Sequence, residues 1–438
     1  MINCFIPFLS LPQARQTVRA LGLCDRIKNI YLLATEKIPD EVEGCEMLMI
    51  DSPASTATFR TIALHADTAY TLLYTKYTAF EPGQFAFERL LAIAGDTNAG
   101  MLYADRYLLK NGNSQQAPVI DYQKGSLRDD FDFGSLLFFR SSVLKQAVRA
   151  MDADYRFAGL YDLRLRVSEL AELVHVNEYL YSEVETDIRK SGEKLFDYVD
   201  PKNRAVQIEM EAVCTAYLKR VGGYLAPDFE PVTFDVGGFE QEASVIIPVR
   251  NRIRTIEDAI RSVLAQKTTF RFNLIIVDNH STDGTSEAIG KYTADGRVVH
   301  LVPERSDLGI GGCWNVGVHH PACGKFAVQL DSDDVYSGPD TLQKIVDAFY
   351  EQNCAMVVGT YRMTDFKMNE IPPGIIDHRE WTLENGRNNA LRINGLGAPR
   401  AFYTPVLRRI NLPNTSYGED YALGLRISRT WRIGRIYD

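Results

Sequence analysis

At 438 residues, with 45% hydrophobic and 24% charged side chains, the chain has the composition of an ordinary globular protein and the length of two or three domains. A formal net charge of −9 argues against a nucleic-acid binder, and no apolar run approaches the ~18 residues of a membrane-crossing helix. Seven cysteines without a C-x-x-C pair, behind an N-terminus lacking a signal peptide's basic region, point to reduced thiols and a cytoplasmic location.

In chain order, the first half offers CFIPF (4–8), NIYLLATE (29–36), TLLYTKYTAFEPG (71–83), FGSLLFFRSSVL (133–144) and FAGLYDLRLRVS (157–168). The helix-like AVQIEMEAVCTAYLKRV (205–221) follows, and then a Gly-, Pro- and acid-rich stretch over 223–242 that reads as a linker. Beyond it, SVIIPVRN (244–251) is a continuous apolar run, as a buried parallel strand requires. TIEDAIRSVLAQ (255–266) places Ile256, Ile260, Val263 and Leu264 on one helical face. NLIIVDNHSTDGT (273–285) and FAVQLDSDDVY (326–336) are two more buried strands, each running straight into polar residues. Alternating strands and helices with acids at strand ends predict an open α/β sheet.

The two halves match segment by segment. CFIPF pairs with VIIPV, NIYLLATE with NLIIVDNH, and TLLYTKY with VQLDSDD. FGSLLFFRSSVL pairs with LGAPRAFYTPVL (396–407), and FAGLYDLRLRVS with YGEDYALGLRIS (417–428). The offsets at Pro7, Tyr74, Gly134 and Leu160 stay between 241 and 263 residues, which reads as an internal duplication, with two convergent domains as the alternative. The acids do not match. Tyr74, Lys76 and Tyr77 stand where the second copy has Asp331, Asp333 and Asp334, and Gly159-Leu160 where it has Glu419-Asp420. The first copy is therefore expected to keep the architecture without the chemistry.

Three constellations in the second copy suit catalysis. Asp331, Asp333 and Asp334 crowd carboxylates that repel one another and call for a cation, with oxygen ligands favouring Mn²⁺ or Mg²⁺; the plain alternative is a solvated turn before the next helix. Glu419 and Asp420 sit where acids cap a helix, and where a carboxylate could act as a general base. Pro248, Arg250 and Arg252, with Asp278 and Asn279, lie at strand ends where open sheets bind nucleotides, and Arg305 is a further phosphate candidate. Gly309-Ile310-Gly311-Gly312 matches no phosphate-loop pattern and is expected to relieve crowding at a helix start.

Together SVIIPVRN, IIVDNHSTDGT, LGIGGCWNVGV, GKFAVQLDSDD and GEDYALGLR resemble the family 2 glycosyltransferases. The resemblance implies two tandem glycosyltransferase A-type domains of Rossmann-like α/β fold with mostly parallel sheets: 1–222 degenerate, 223–242 linker, 243–438 catalytic. It implies an inverting transfer from a nucleoside-diphosphate sugar to a glycan or lipid-linked acceptor, in surface polysaccharide synthesis and with peripheral membrane association. Pro248, Arg250 and Asn279 would line the base pocket, Asp331 to Asp334 would carry the metal, and Asp420 would be the base, with Glu419 orienting. The chain departs from the family pattern at Asn279, where many relatives have Asp, and at Trp314, where an Arg is common. A sugar-phosphate nucleotidyltransferase is disfavoured because its glycine-rich loop is missing; a glycan- or nucleotide-sugar-binding pseudoenzyme is the alternative from another class. Because the segment from about 179 to 221 has no counterpart after RIGRIYD, the chain is expected to be a truncation of a longer protein, or to have that side of its site covered by another element.

Overall fold

The run Ala243–Val249 is buried at every position except the half-buried Pro248, because the strand is covered on both faces and must be apolar throughout. This computed structural model describes residues 1–37, 41–110, 112–184, 204–235 and 237–437. The chain divides into two units, Met1–Gly223 and Tyr224–Asp438.

In the second unit the sheet runs, edge to edge, Val298–Leu301, Phe272–Asp278, Ala243–Val249, Phe326–Gln329, Arg400–Tyr403, Met356–Val358 and Ile433–Arg435. The first four strands are parallel. Arg400–Tyr403 runs antiparallel to both of its neighbours. Helix Ile256–Leu264 turns Ile256, Ala259, Ile260 and Val263 inward. Helix Thr341–Gln352 buries Phe349, which stacks on Phe326 at 4.3 Å between ring centres. Helix Ile310–His319 lies so close to the sheet that a Cβ on Gly317 would come within 2.9 Å of Ile246.

The stretch over 223–242 is not a free linker. Val232 is buried in the core of the second unit, the Phe234 ring meets Phe326 edge-on, and Tyr403 Oη donates to the Thr233 carbonyl at 3.0 Å. Its glycines and acids suggested a tether, but its apolar residues are enough to bind it to that core.

The sheet of the first unit runs Glu46–Met49, Ile27–Ala34, Ile2–Pro7, Tyr70–Tyr74, Leu136–Arg140, Met101–Lys110, Leu173–Val184 and Phe80–Pro82, with Asn113–Ala117 paired to Met101–Lys110. Its two hydrophobic clusters divide alternate residues of Ile2–Pro7, with Cys4 and Ile6 on one face and Phe5 on the other. The first seven strands follow the order and sense of the seven in the second unit. All seven cysteines are free thiols. Among the described residues no helix is long and apolar enough to cross a membrane.

Candidate active site

Parallel strands deliver their carboxyl ends to one edge of the sheet, and an antiparallel neighbour delivers its first residue to the same edge. Phe326–Gln329 therefore ends beside Arg400, which opens the antiparallel strand. Gln329 Nε2 donates to Asp331 Oδ1 at 2.9 Å, and its Oε1 accepts from Arg400 Nε at 2.7 Å. Arg400 Nη1 donates to the Leu396 carbonyl at 3.1 Å and pairs with Asp420 Oδ2. Arg400 and Gln329 are both buried, while the Asp420 side chain keeps 30% of its surface open. A chain of two hydrogen bonds and one ion pair thus runs Asp331–Gln329–Arg400–Asp420. Sequence reading singled out its two acids and missed the two residues between them, which carry no motif.

Glu419 and Asp420 begin helix Glu419–Ser428, whose N-cap is Gly418 at φ 77°, so no side chain caps it. Asp420 Oδ1 accepts from the Tyr421 backbone at 2.6 Å. Glu419 is 7% exposed, its Oε2 has no hydrogen-bond partner among the described residues, and burial followed by the Asp420 charge raises its carboxyl above the ordinary range. Asp420 thus satisfies one first-turn N–H, as an acid at a helix start does, while Glu419 is more buried than that role requires.

The three aspartates after Gln329 do not gather into one ligand set. Among the described residues no group of three or more His, Cys, Asp and Glu converges on a cation position. Asp331 takes the Gln329 amide, and Asp333 Oδ2 faces Arg252 Nε at 3.7 Å. Desolvation, and then the charges of Asp331 and Asp333, push the Asp334 carboxyl up to about 6. Asp331 and Asp333 thus have different protein partners, and their oxygens suit a hard cation whose remaining ligands come from elsewhere.

The expected nucleotide residues divide. Pro248 and the exposed Arg250 close the Ala243–Val249 strand end, and Asn251, at φ 55°, turns the chain. Arg252 joins Asn251, Ile253, Arg254, Thr255, Asp283, Asp333 and Phe366 around an open pocket of about 250 Å³. Asp278 faces inward: Oδ1 accepts from Ser281 N at 3.0 Å, and Oδ2 accepts from Ser286 Oγ and lies 3.4 Å from His300 Nε2. Burial would raise its carboxyl, but the hydrogen bonds from Ser281 and Ser286 hold it below the usual range. Asn279 Nδ2 is spent on the Leu308 carbonyl at 2.8 Å, leaving a buried Oδ1 without a partner. One of the two N–H donors of the amide is thereby used within the protein. Arg305 is exposed and paired twice with Asp307, at 2.9 and 2.6 Å. Trp314 is buried in the core, edge-on to Phe402.

The glycines near 310 answer to crowding. A Cβ would lie 2.6 Å from Thr415 C at Gly309, 2.0 Å from Pro413 O at Gly311 and 2.2 Å from Asn414 Oδ1 at Gly312. The helix start thus holds the loop leading to Glu419. His378 is buried, its Nε2 lies 3.1 Å from the Ala398 carbonyl, and burial lowers its pKa to about 4.

Residues 244–409 match the model of Glycosyl transferase family 2. The matched residues lie within the second unit. Asp420 lies beyond the matched residues. The chain is 30% identical over 200 residues to an uncharacterized glycosyltransferase of Rickettsia felis, covering 45% of this chain and 32% of that protein. Over 120 residues it is 33% identical to TuaG, a Bacillus subtilis glycosyltransferase named for teichuronic acid biosynthesis, covering 27% of this chain and 46% of TuaG. The chain thus spans less than half the length of these relatives. Among solved structures, S. aureus TarS 1-349 in complex with UDP-GlcNAc is 24% identical at a TM-score of 0.38, over 45% of this chain and 56% of that one. The mannosyltransferase PcManGT from Pyrobaculum calidifontis, with GDP-Man and Mn²⁺, is 18% identical at a TM-score of 0.34, over 53% and 66%.

Proposed function

We propose that the chain is an inverting glycosyltransferase that moves a sugar from a nucleoside-diphosphate sugar to a hydroxyl of a glycan or lipid-linked acceptor. The observation that carries this reading is the meeting of Asp331 and Asp420 at one sheet edge, in a unit whose residues 244–409 match family 2. Asp420, partly open to solvent, takes the acceptor proton as the hydroxyl oxygen bonds to the anomeric carbon. The bond from that carbon to the diphosphate breaks, and the nucleoside diphosphate leaves from the opposite face. Asp331 and Asp333 would hold Mn²⁺ or Mg²⁺, which when bound would offset the charge on the departing diphosphate. Arg250, Arg252, Pro248 and Asn279 border the donor, with Asp278 shaping the loop. Glu419 lies beside Asp420 and orients it or the acceptor. The name of TuaG supports surface polysaccharide synthesis as the setting.

The first unit is read as a degenerate copy, 1–222, beside a catalytic copy, 243–438. The common strand order supports this reading, as does the filling of the corresponding strand ends by charged and hydroxyl side chains. Lys76 Nζ and Arg106 Nε both reach Glu183, which is fully buried and also bonded to Ser135. The ammonium of Lys76 stands in sequence where the second copy has Asp333.

The test is a panel of UDP-, GDP- and TDP-sugars with Mn²⁺ or Mg²⁺ and glycan acceptors, read by nucleoside diphosphate release. Release with one donor, lost on Asp420→Asn in a folded protein, supports the reading. Tight nucleotide-sugar binding without release for any donor and acceptor would favour the pseudoenzyme instead.

A further inference from the structure

We propose that Arg400 is a positioning residue that fixes the Asp420 carboxylate, and that Gln329 keeps Arg400 in register with Asp331. This rests on the reading of Asp420 as the base. The Arg400 side chain is 7% exposed; Nε donates to Gln329, Nη1 donates to the Leu396 carbonyl, and Nη1 is ion-paired with Asp420. A rigid planar fork held at two nitrogens cannot swing, so the oxygen it meets is held in place as well. The Gln329 amide sets the fork in turn. Because Nε2 donates to Asp331, Oε1 faces Arg400; turning the amide over would break both bonds at once.

Arg400 also lies among the other polar groups of this edge. Its charge acts to lower the pKa of the Glu419 carboxyl, of the Tyr361 phenol and of the His378 imidazole. One buried cation thus stands where two acidic clusters from distant parts of the chain approach each other. The first copy has neither polar residue: by strand pairing Leu73 and Leu137 stand where Gln329 and Arg400 do, and by segment matching Leu160 stands for Asp420. The glutamine, the arginine and the base are absent together, as expected if they work as one unit.

The experiment uses the full chain and the sugar donor that releases nucleoside diphosphate in the panel above. Arg400→Met should lower kcat about 100-fold with donor KM within about threefold, the pattern of a mis-set carboxylate. Arg400→Lys, which keeps the charge without the fork, should recover about tenfold of that loss. On an Asp420→Asn background, Arg400→Met should lower the residual rate no further, because it acts through that carboxylate. Gln329→Leu, which leaves the Asp420 pair in place, should lower kcat about tenfold. Binding of UDP with Mn²⁺, measured calorimetrically, should be unchanged in Arg400→Met. A kcat within about threefold of wild type in both Arg400→Met and Gln329→Leu overturns the proposal, as does an equal loss with and without Asp420. Full turnover by Asp420→Asn removes the base reading instead, and is told apart because it involves no change at Arg400.

Discussion

Alanine at Gly311 sets helix propensity directly against packing. Gly311 is the second residue of helix Ile310–His319, where alanine alone would gain about 1 kcal/mol. The new Cβ would lie 2.0 Å from the Pro413 carbonyl oxygen and 3.1 Å from Glu419 Cβ. Ordinary contact demands more than 1 Å of retreat by that loop, an overpacking cost of about 1–3 kcal/mol. The retreat also strains the bond from Gly311 N to Thr415 O, now 3.0 Å, a loss of about 1 kcal/mol. The balance is a destabilisation of about 1–3 kcal/mol, or a melting point lower by about 3–10 °C for a unit of this size. Gly290→Ala makes the same chemical change at the end of helix Thr285–Gly290, where nothing lies within 4 Å, and should raise the melting point slightly. All three tryptophans, 314, 381 and 431, lie in the second unit, so their fluorescence reports its melting alone. A Gly311→Ala protein that melts at or above wild type would refute the packing argument. Because the displaced loop leads to Glu419 and Asp420, turnover should fall with stability.

Other outcomes follow from the same geometry. His378 is buried with a pKa near 4 against an ordinary 6.5, so protons bind the unfolded chain better; its contribution is intact above about pH 6.5 and is lost as pH falls toward 4. Between pH 7 and pH 5 this amounts to about 2 kcal/mol, and urea unfolding of His378→Gln should lose that part of the slope; an unchanged slope would contradict the assignment. Chelation should abolish nucleoside diphosphate release and Mn²⁺ or Mg²⁺ restore it, with full activity in excess chelator ruling out the cation. Arg106→Met leaves the buried Glu183 with one cation fewer and should cost about 3 kcal/mol in the first unit, while turnover at low temperature stays near wild type. Residues 1–222 expressed alone should transfer no sugar, and measurable release would count against the degenerate reading.

Much of the second unit was legible because burial on both faces leaves a parallel strand few choices. SVIIPVRN, NLIIVDNH and FAVQLDSDD had to be apolar while inside the sheet and polar on leaving it, so their acids announced the site edge. The glycines at 309, 311 and 312 likewise implied crowding, though not what crowds them. What the sequence did not disclose is which partner each polar group takes. Asn279 looked like a base-edge reader and gives one N–H to Leu308; Asp278 points into its own loop; Asp331 and Asp333 face different neighbours. Gln329 and Arg400 passed unnoticed because they are 71 residues apart and obey no spacing. Local periodicity registers whether a residue is covered, a property of its own strand or helix. Hydrogen bonds between strands depend on their order and direction in the sheet, and here the reversed strand that opens at Arg400 brought the two acids into one network.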